Sequence, residues 1–219
     1  MRYDGLADWY EREFDPTPLE GPAWEPVVRL LGDGAGSLLD VGCGTGRYSV
    51  ALAELGWHVT GVDVSEDMLT RARARGVRVV RADAAALPFD DESFDAVVSI
   101  LTHTDLDEFS STICEVARVL RRGAPFVYVG VHPCFVGPHS RYEAALGVPL
   151  LQADWYRRSG HYMEAPGISP TGLRAKIGAT HVPLGIFLQM FLDTGLRLEQ
   201  IEEPEDRDYP YLLALRFRR

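Results

Sequence analysis

Residues 38–49 read LLDVGCGTGRYS. Its start is a short apolar run ending at glycines, the form of a strand buried in a parallel sheet. Gly42, Gly44 and Gly46 follow as G-x-G-x-G. Glycine allows a tight turn and lets a ligand approach bare backbone. From Gly46 onward, GRYSVALAELG has helical spacing and stops at Gly56. The dinucleotide fingerprint is G-x-G-x-x-G, and Arg47 stands where its third glycine belongs. A nicotinamide dinucleotide is therefore disfavoured. A glycine turn alone is a weak signal, since many are merely tight connections, so its neighbours decide.

Downstream, strand and helix alternate. WHVTGVD is a strand, SEDMLTRARARG a helix capped by Ser65, and VRVVRAD and FDAVVSI are two more strands. DLDEFSSTICEVARVLRRG is a helix and APFVYVGV the fifth strand. This rhythm predicts right-handed βαβ units and a doubly wound α/β sheet. Upstream, YDGLADWYEREF reads as an amphipathic helix, DPTPLEGP (15–22) as its break, and 23–31 as a second helix. Residues 132–181 are rich in proline, glycine and aromatics and read as loop, a length usually reserved for function. LGIFLQMFLDTG then gives a helix, and LRLEQIEEP and YPYLLALRFR two final strands. The expected organisation is one domain: a helical cap (1–31), a cofactor-binding core (36–131), a substrate-side insertion or lid (132–181), and a final helix with two strands (182–219).

Asp40 precedes the glycine turn, Asp63 ends the second strand and Asp83 ends the third. That is the edge where open α/β sheets bind ligands. Asp63 stands about 20 residues beyond the turn, where a carboxylate accepts both ribose hydroxyls. Asp83 is placed to accept from an exocyclic amine.

LLDVGCGTG, VTGVDVSEDML and RADAAALPFDDESFDAVVS together resemble the class I S-adenosylmethionine-dependent methyltransferases. The resemblance is strongest to the small-molecule group that includes the ubiquinone and menaquinone biosynthesis enzymes. It covers about residues 36–130, and YDGLADWY resembles that group's opening helix. It implies a Rossmann-like seven-stranded sheet of order 3-2-1-4-5-7-6 with the last strand antiparallel. It also implies S-adenosylmethionine as cofactor, S-adenosylhomocysteine as product and a small-molecule acceptor. Asp40 and the Gly42, Cys43, Gly44 and Gly46 backbone would line the methionine moiety, and Asp63 would hold the ribose. Val64 and Met68 would pack on adenine, with Asp83 and Ala84 reading its edge. Ser99 and Ile100 would pass beside the sulfonium, with Tyr3 and Tyr10 closing over it. For Met68, Tyr3 and Tyr10 plain core packing is the competing reading.

Methyl transfer needs alignment and, for a hydroxyl acceptor, a base. His103 and His132 follow strands four and five and are the candidates. His139, Phe135, Trp155 and Tyr156 are expected on the acceptor side. HPCFVGPH (132–139) lacks paired C-x-x-C spacing, so no metal is expected and the loop reads as a rigid wall. A fold-mate that binds the cofactor without transferring methyl is the alternative.

The 219 residues are 46% hydrophobic and carry a net charge of −10, which argues against nucleic acid. SILT stands where amino-group nucleic-acid enzymes carry an Asn/Asp-Pro-Pro-Tyr motif. RARARGVRVVR spans a helix and a strand, so a solvated face is its default reading. Apolar runs are too short to span a membrane, the amino-terminal stretch has no signal-like apolar core, and three scattered cysteines suggest a reducing, cytoplasmic setting.

Overall fold

The computed structural model describes residues 2–14, 21–204 and 208–219. DPTPLE, most of the expected break after the first helix, lies outside the described residues. Five strands form as their patterns require, β1 (Ser37–Val41), β2 (His58–Asp63), β3 (Arg78–Arg81), β4 (Ala96–Ile100) and β5 (Pro125–Val131), with helices between all of them except β3 and β4, which are joined by turns. The last two strands are β10 (Arg197–Glu202) and β11 (Leu212–Arg218). The sheet order is β10-β11-β5-β4-β1-β2-β3. β1 to β5 are mutually parallel, and β11 runs antiparallel to both β5 and β10. This is the expected order, with β10 and β11 as the sixth and seventh strands of the sheet.

Period-two alternation sends side chains to two cores. Val97, Phe126 and Tyr128 face one side, against α5 (Phe109–Val119) and α7 (Leu184–Leu192). Val98, Val127 and Val129 face the other, against α2 (Trp24–Leu31). The first core is an aromatic stack. Phe187 lies on Phe109 at 5.2 Å and 7°, and Phe191 on Phe217 at 4.6 Å and 5°. Offset stacking of this kind adds to the area each ring buries.

Three expectations change. The first helix is only α1 (Ala7–Trp9), continued by a π-helical turn over Tyr10–Phe14. Ser65 begins α4 (Glu66–Ala74) with no side-chain capping bond, and its hydroxyl donates instead to Asp4 Oδ1 at 2.9 Å. Residues 132–181 are not plain loop. They form the ladder β6–β7 (Ser140–Glu143, Val148–Leu151), the ladder β8–β9 (Gly160–Tyr162, Ala179–His181) and α6 (Leu173–Ile177). Strands of three or four residues are too short to show a period.

Phe191→Ala should cost about 3–5 kcal/mol, read as a lower urea midpoint with unchanged slope.

Candidate functional site

The chain turns after β1 through three glycines with positive φ: Gly42 (75°), Gly44 (52°) and Gly46 (79°). Gly42 N–H and Cys43 N–H both donate to Val62 O, at 2.8 and 3.0 Å, tying this turn to β2. A Cβ on Gly42 would meet Thr102 Cγ2 at 2.5 Å. A Cβ on Gly44 would meet nothing within 4 Å. Gly44 thus presents bare backbone to open space.

That space is a cavity of about 360 Å³, within the usual range for small-molecule sites. Asp63 forms one wall. Its Oδ2 accepts from Gly44 N–H at 3.0 Å and its Oδ1 from Ser65 N–H at 2.9 Å. Each oxygen keeps a lone pair for a ligand hydroxyl. Burial holds this carboxyl above the ordinary carboxylate value, and the backbone N–H donors offset only part of that push. Asp83 is exposed at the rim, where its Oδ1 accepts from Ala85 N–H at 2.9 Å.

Of the residues expected around the cofactor, Gly42, Cys43, Gly44, Asp63, Val64, Met68, Asp83, Ala84, Ile100, Tyr3 and Tyr10 all line this cavity. Asp40, Gly46 and Ser99 do not. Asp40 is buried behind the turn, accepts from Ser49 Oγ at 2.5 Å, and is raised by burial to about 6. Gly46 sits where a Cβ would strike Ala72 at 2.8 Å, so it serves helix packing. Ser99 is buried and bonded to Thr102 Oγ1.

None of the expected acceptor-side residues reaches the cavity. His103 is enclosed by Phe109, Tyr128 and Phe187, bonds the Tyr128 hydroxyl through Nδ1, and is lowered by burial to about 3. His132 turns inward, accepting from Cys134 N–H at 3.1 Å through Nδ1 and meeting Glu203 at 3.0 Å through Nε2. His139 lies under His181, and Tyr156 holds Leu184 N–H at 3.2 Å. Trp155 packs with Tyr162 and Arg158. Phe135 lines a separate hollow with Tyr142, Tyr209 and Tyr211. HPCFVGPH is thus tied to its own backbone and to the insertion.

The turn after β4, with the start of α5, supplies wall residues that the sequence did not advertise: Leu101, Thr102, Asp105, Leu106, Asp107, Glu108 and, from α5, Thr112. Arg2, Thr45, Arg47, Tyr48, Val62 and Ala82 complete the lining. Leu101 adopts φ +58°, a region that non-glycine residues rarely occupy, and so swings the chain into the His103–Asp105 turn. Asp105 is the junction. It accepts from Tyr3 Oη at 3.0 Å and pairs with Arg174 of α6, which also donates to Thr104 Oγ1 at 2.8 Å.

Residues 2–13 lie across the cavity as a strap held by charge. Arg2 pairs with Asp107, Gly5 N–H with Asp67, Asp8 with Arg71, and Glu11 with Arg75 at 2.5 Å. Tyr3 and Tyr10 meet edge to face at 5.9 Å on its inner side. Lys176 of α6 lies 5.1 Å over the Trp9 ring. Part of the basic run is therefore the seat of the acidic amino-terminal segment.

Comparisons bear on this geometry. The family described as "Methyltransferase domain" matches residues 39–128. Demethylmenaquinone methyltransferase of Tropheryma whipplei is 37% identical over 141 residues, 61% of this chain and 59% of that protein. A probable tRNA methyltransferase 9B of Mus musculus is 39% identical over 133 residues, 58% of this chain and 28% of that protein. The chain thus spans at most about three-fifths of these curated relatives. The crystal structure of an S-adenosylmethionine-dependent methyltransferase from Mesorhizobium loti superposes with a TM-score of 0.76 at 26% identity, over 91% of this chain and 98% of that one.

Exposed ion pairs weaken with salt. Raising salt from about 0.05 M to about 1 M should therefore lower hydrogen-exchange protection of residues 2–13 while leaving β1 and β4 unchanged. Equal protection at both salts would mean that packing, not charge, seats the strap.

Proposed function

We propose that this chain, which carries a class I S-adenosylmethionine-dependent methyltransferase domain, moves the sulfonium methyl group of that cofactor to a small-molecule acceptor. The observation that carries the reading is the Asp63 carboxylate beside the bare Gly44 backbone. Asp63 is fixed by two N–H donors and still has lone pairs for a pair of vicinal hydroxyls. The open space at Gly44 admits a ligand that a side chain there would displace.

S-adenosylmethionine supplies a methyl group on a positively charged sulfur, which an aligned nucleophile displaces in line. The protein's part is to bind, orient and exclude water. Asp63 holds the ribose. Val64, Met68, Asp83 and Ala84 hold the adenine, and the Gly42–Gly44 backbone receives the methionine end. Asp40 acts one layer back, by fixing Ser49 at the start of α3 (Arg47–Glu54). Asp63, Asp83, Asp105, Asp107 and Glu108 outnumber Arg2 and Arg47 around the cavity, which favours a cationic occupant.

Ile100 and Thr102, with Tyr3 and Tyr10 of the strap, form the wall where acceptor and methyl would meet. We assign no proton transfer to His103 or His132, because neither lines the cavity. Residues 2–13 act as a cap over the cofactor core of 36–131, 132–181 form the insertion beside it, and 182–219 contain the closing helix and strands. The relatives' names span a quinone precursor and tRNA. The net charge of −10 favours a small molecule.

Calorimetry tests the cofactor pose. Asp63→Ala should weaken S-adenosylmethionine binding by about 1–3 kcal/mol, while Asp40→Asn should change it by less than about threefold. Unchanged affinity in a folded Asp63→Ala protein would overturn the pose. Incubation with phenol, amine, fatty-acid and quinol acceptors, read by mass spectrometry, should give a methyl-sized gain together with S-adenosylhomocysteine. Binding without any such product would favour a non-transferring fold-mate.

A further inference from the structure

The loop 132–139 stands outside the cofactor cavity, yet it ends in an unusual contact. The rings of His139 and His181 lie 4.1 Å apart at 32°, and both are buried. Each ring already spends one nitrogen on a carbonyl. His139 Nε2 donates to Cys134 O at 2.9 Å, and His181 Nε2 donates to Tyr156 O at 2.8 Å. A donating nitrogen carries the proton, so in each neutral ring Nδ1 is a lone pair. His139 Nδ1 is fully buried and has no partner among the described residues. It faces the open side of Gly137, where a Cβ would stand 3.3 Å from it and 3.8 Å from His181 Nδ1. Two lone pairs thus border one small gap, and ionising either ring means placing a proton in it.

We propose that the His139–His181 pair is a proton-operated latch: it fastens the insertion to the loop after β5 when both rings are neutral and releases it when one is protonated. The contact is well placed for this. His139 O accepts from Gln152 N–H at 2.9 Å, next to the β6–β7 ladder, and His181 closes the β8–β9 ladder just before α7. Tyr156 packs on both rings, at 5.5 and 5.8 Å. A protonated His139 would bury a charge with an N–H that has no acceptor.

The ionisable groups nearby are few. Tyr156 and Cys134 adjoin the pair, with the thiol 3.5 Å from the phenol oxygen. β8 brings His161, bonded to Thr180, and the turn after β4 brings His103 and the Asp105–Arg174 pair. Among the described residues, no carboxylate is a hydrogen-bond partner of either ring. Burial pushes both imidazoles below their ordinary value, His181 to about 4. An unfolded histidine binds its proton near about 6.5. The latch therefore contributes fully above that pH, and its contribution is lost as pH falls towards about 4, with the two rings titrating as one unit. This holds whether or not the chain transfers methyl groups.

Hydrogen exchange of the full chain, corrected for intrinsic rate, tests it at about pH 7.5 and about pH 5. Peptides across 132–184 should exchange at least about tenfold faster at the lower pH, relative to β1 and β4. His181→Phe keeps a ring in the stack but cannot take a proton, so it should weaken that dependence to the share carried by His139 alone. Equal protection of the wild-type insertion at both values would overturn the latch, as would wild-type dependence in His181→Phe. Should His181→Phe fail to fold, imidazole NMR titration of the wild type decides. His139 and His181 titrating independently at the ordinary histidine value would overturn the proposal, and coupled titration below it is expected.

Discussion

The rim of the sheet hangs from one carboxylate. Asp63 ends β2, and its two oxygens take N–H groups from Gly44, in the turn after β1, and from Ser65, at the start of α4. One anion thereby sets the spacing of two turns and leaves its outer lone pairs towards the cavity. Burying it is unfavourable, as the upward push on its carboxyl shows. The two fixed dipoles offset part of that cost without reorganising when a ligand arrives. The same economy explains why the glycines differ. Gly44 faces the cavity, Gly42 makes room for Thr102 and Gly46 makes room for α4.

Much of this was legible in the sequence because it is local. Apolar runs of strand length, glycine stops and aspartates at strand ends are read within a dozen residues, and these give the sheet and eight wall residues around the first three strands. The remaining walls depend on non-local facts. Leu101 takes a left-handed conformation that no leucine advertises, and the Asp105 turn follows from it. The strap reaches the cavity because Asp8 and Glu11 find arginines about sixty residues away. The arginine-rich stretch gives no hint of this by itself.

Histidine was the least legible residue type. A histidine after a strand invites a catalytic reading, but burial decides its chemistry. His103 became part of an aromatic core, and His132 and His139 fold back onto their own loop. Apolar neighbours arriving from α5 and α7, far along the chain, determine that outcome for His103.

Among 219 residues there is a single lysine. The arginines do the pairing that lysine often shares. That lysine, Lys176, is exposed on α6 with its ammonium over the Trp9 ring of the strap. Side-chain amine chemistry therefore has one address in this protein, at the seam where strap and insertion meet. A neutralising acyl group there would remove a cation–π contact and touch no other side-chain amine.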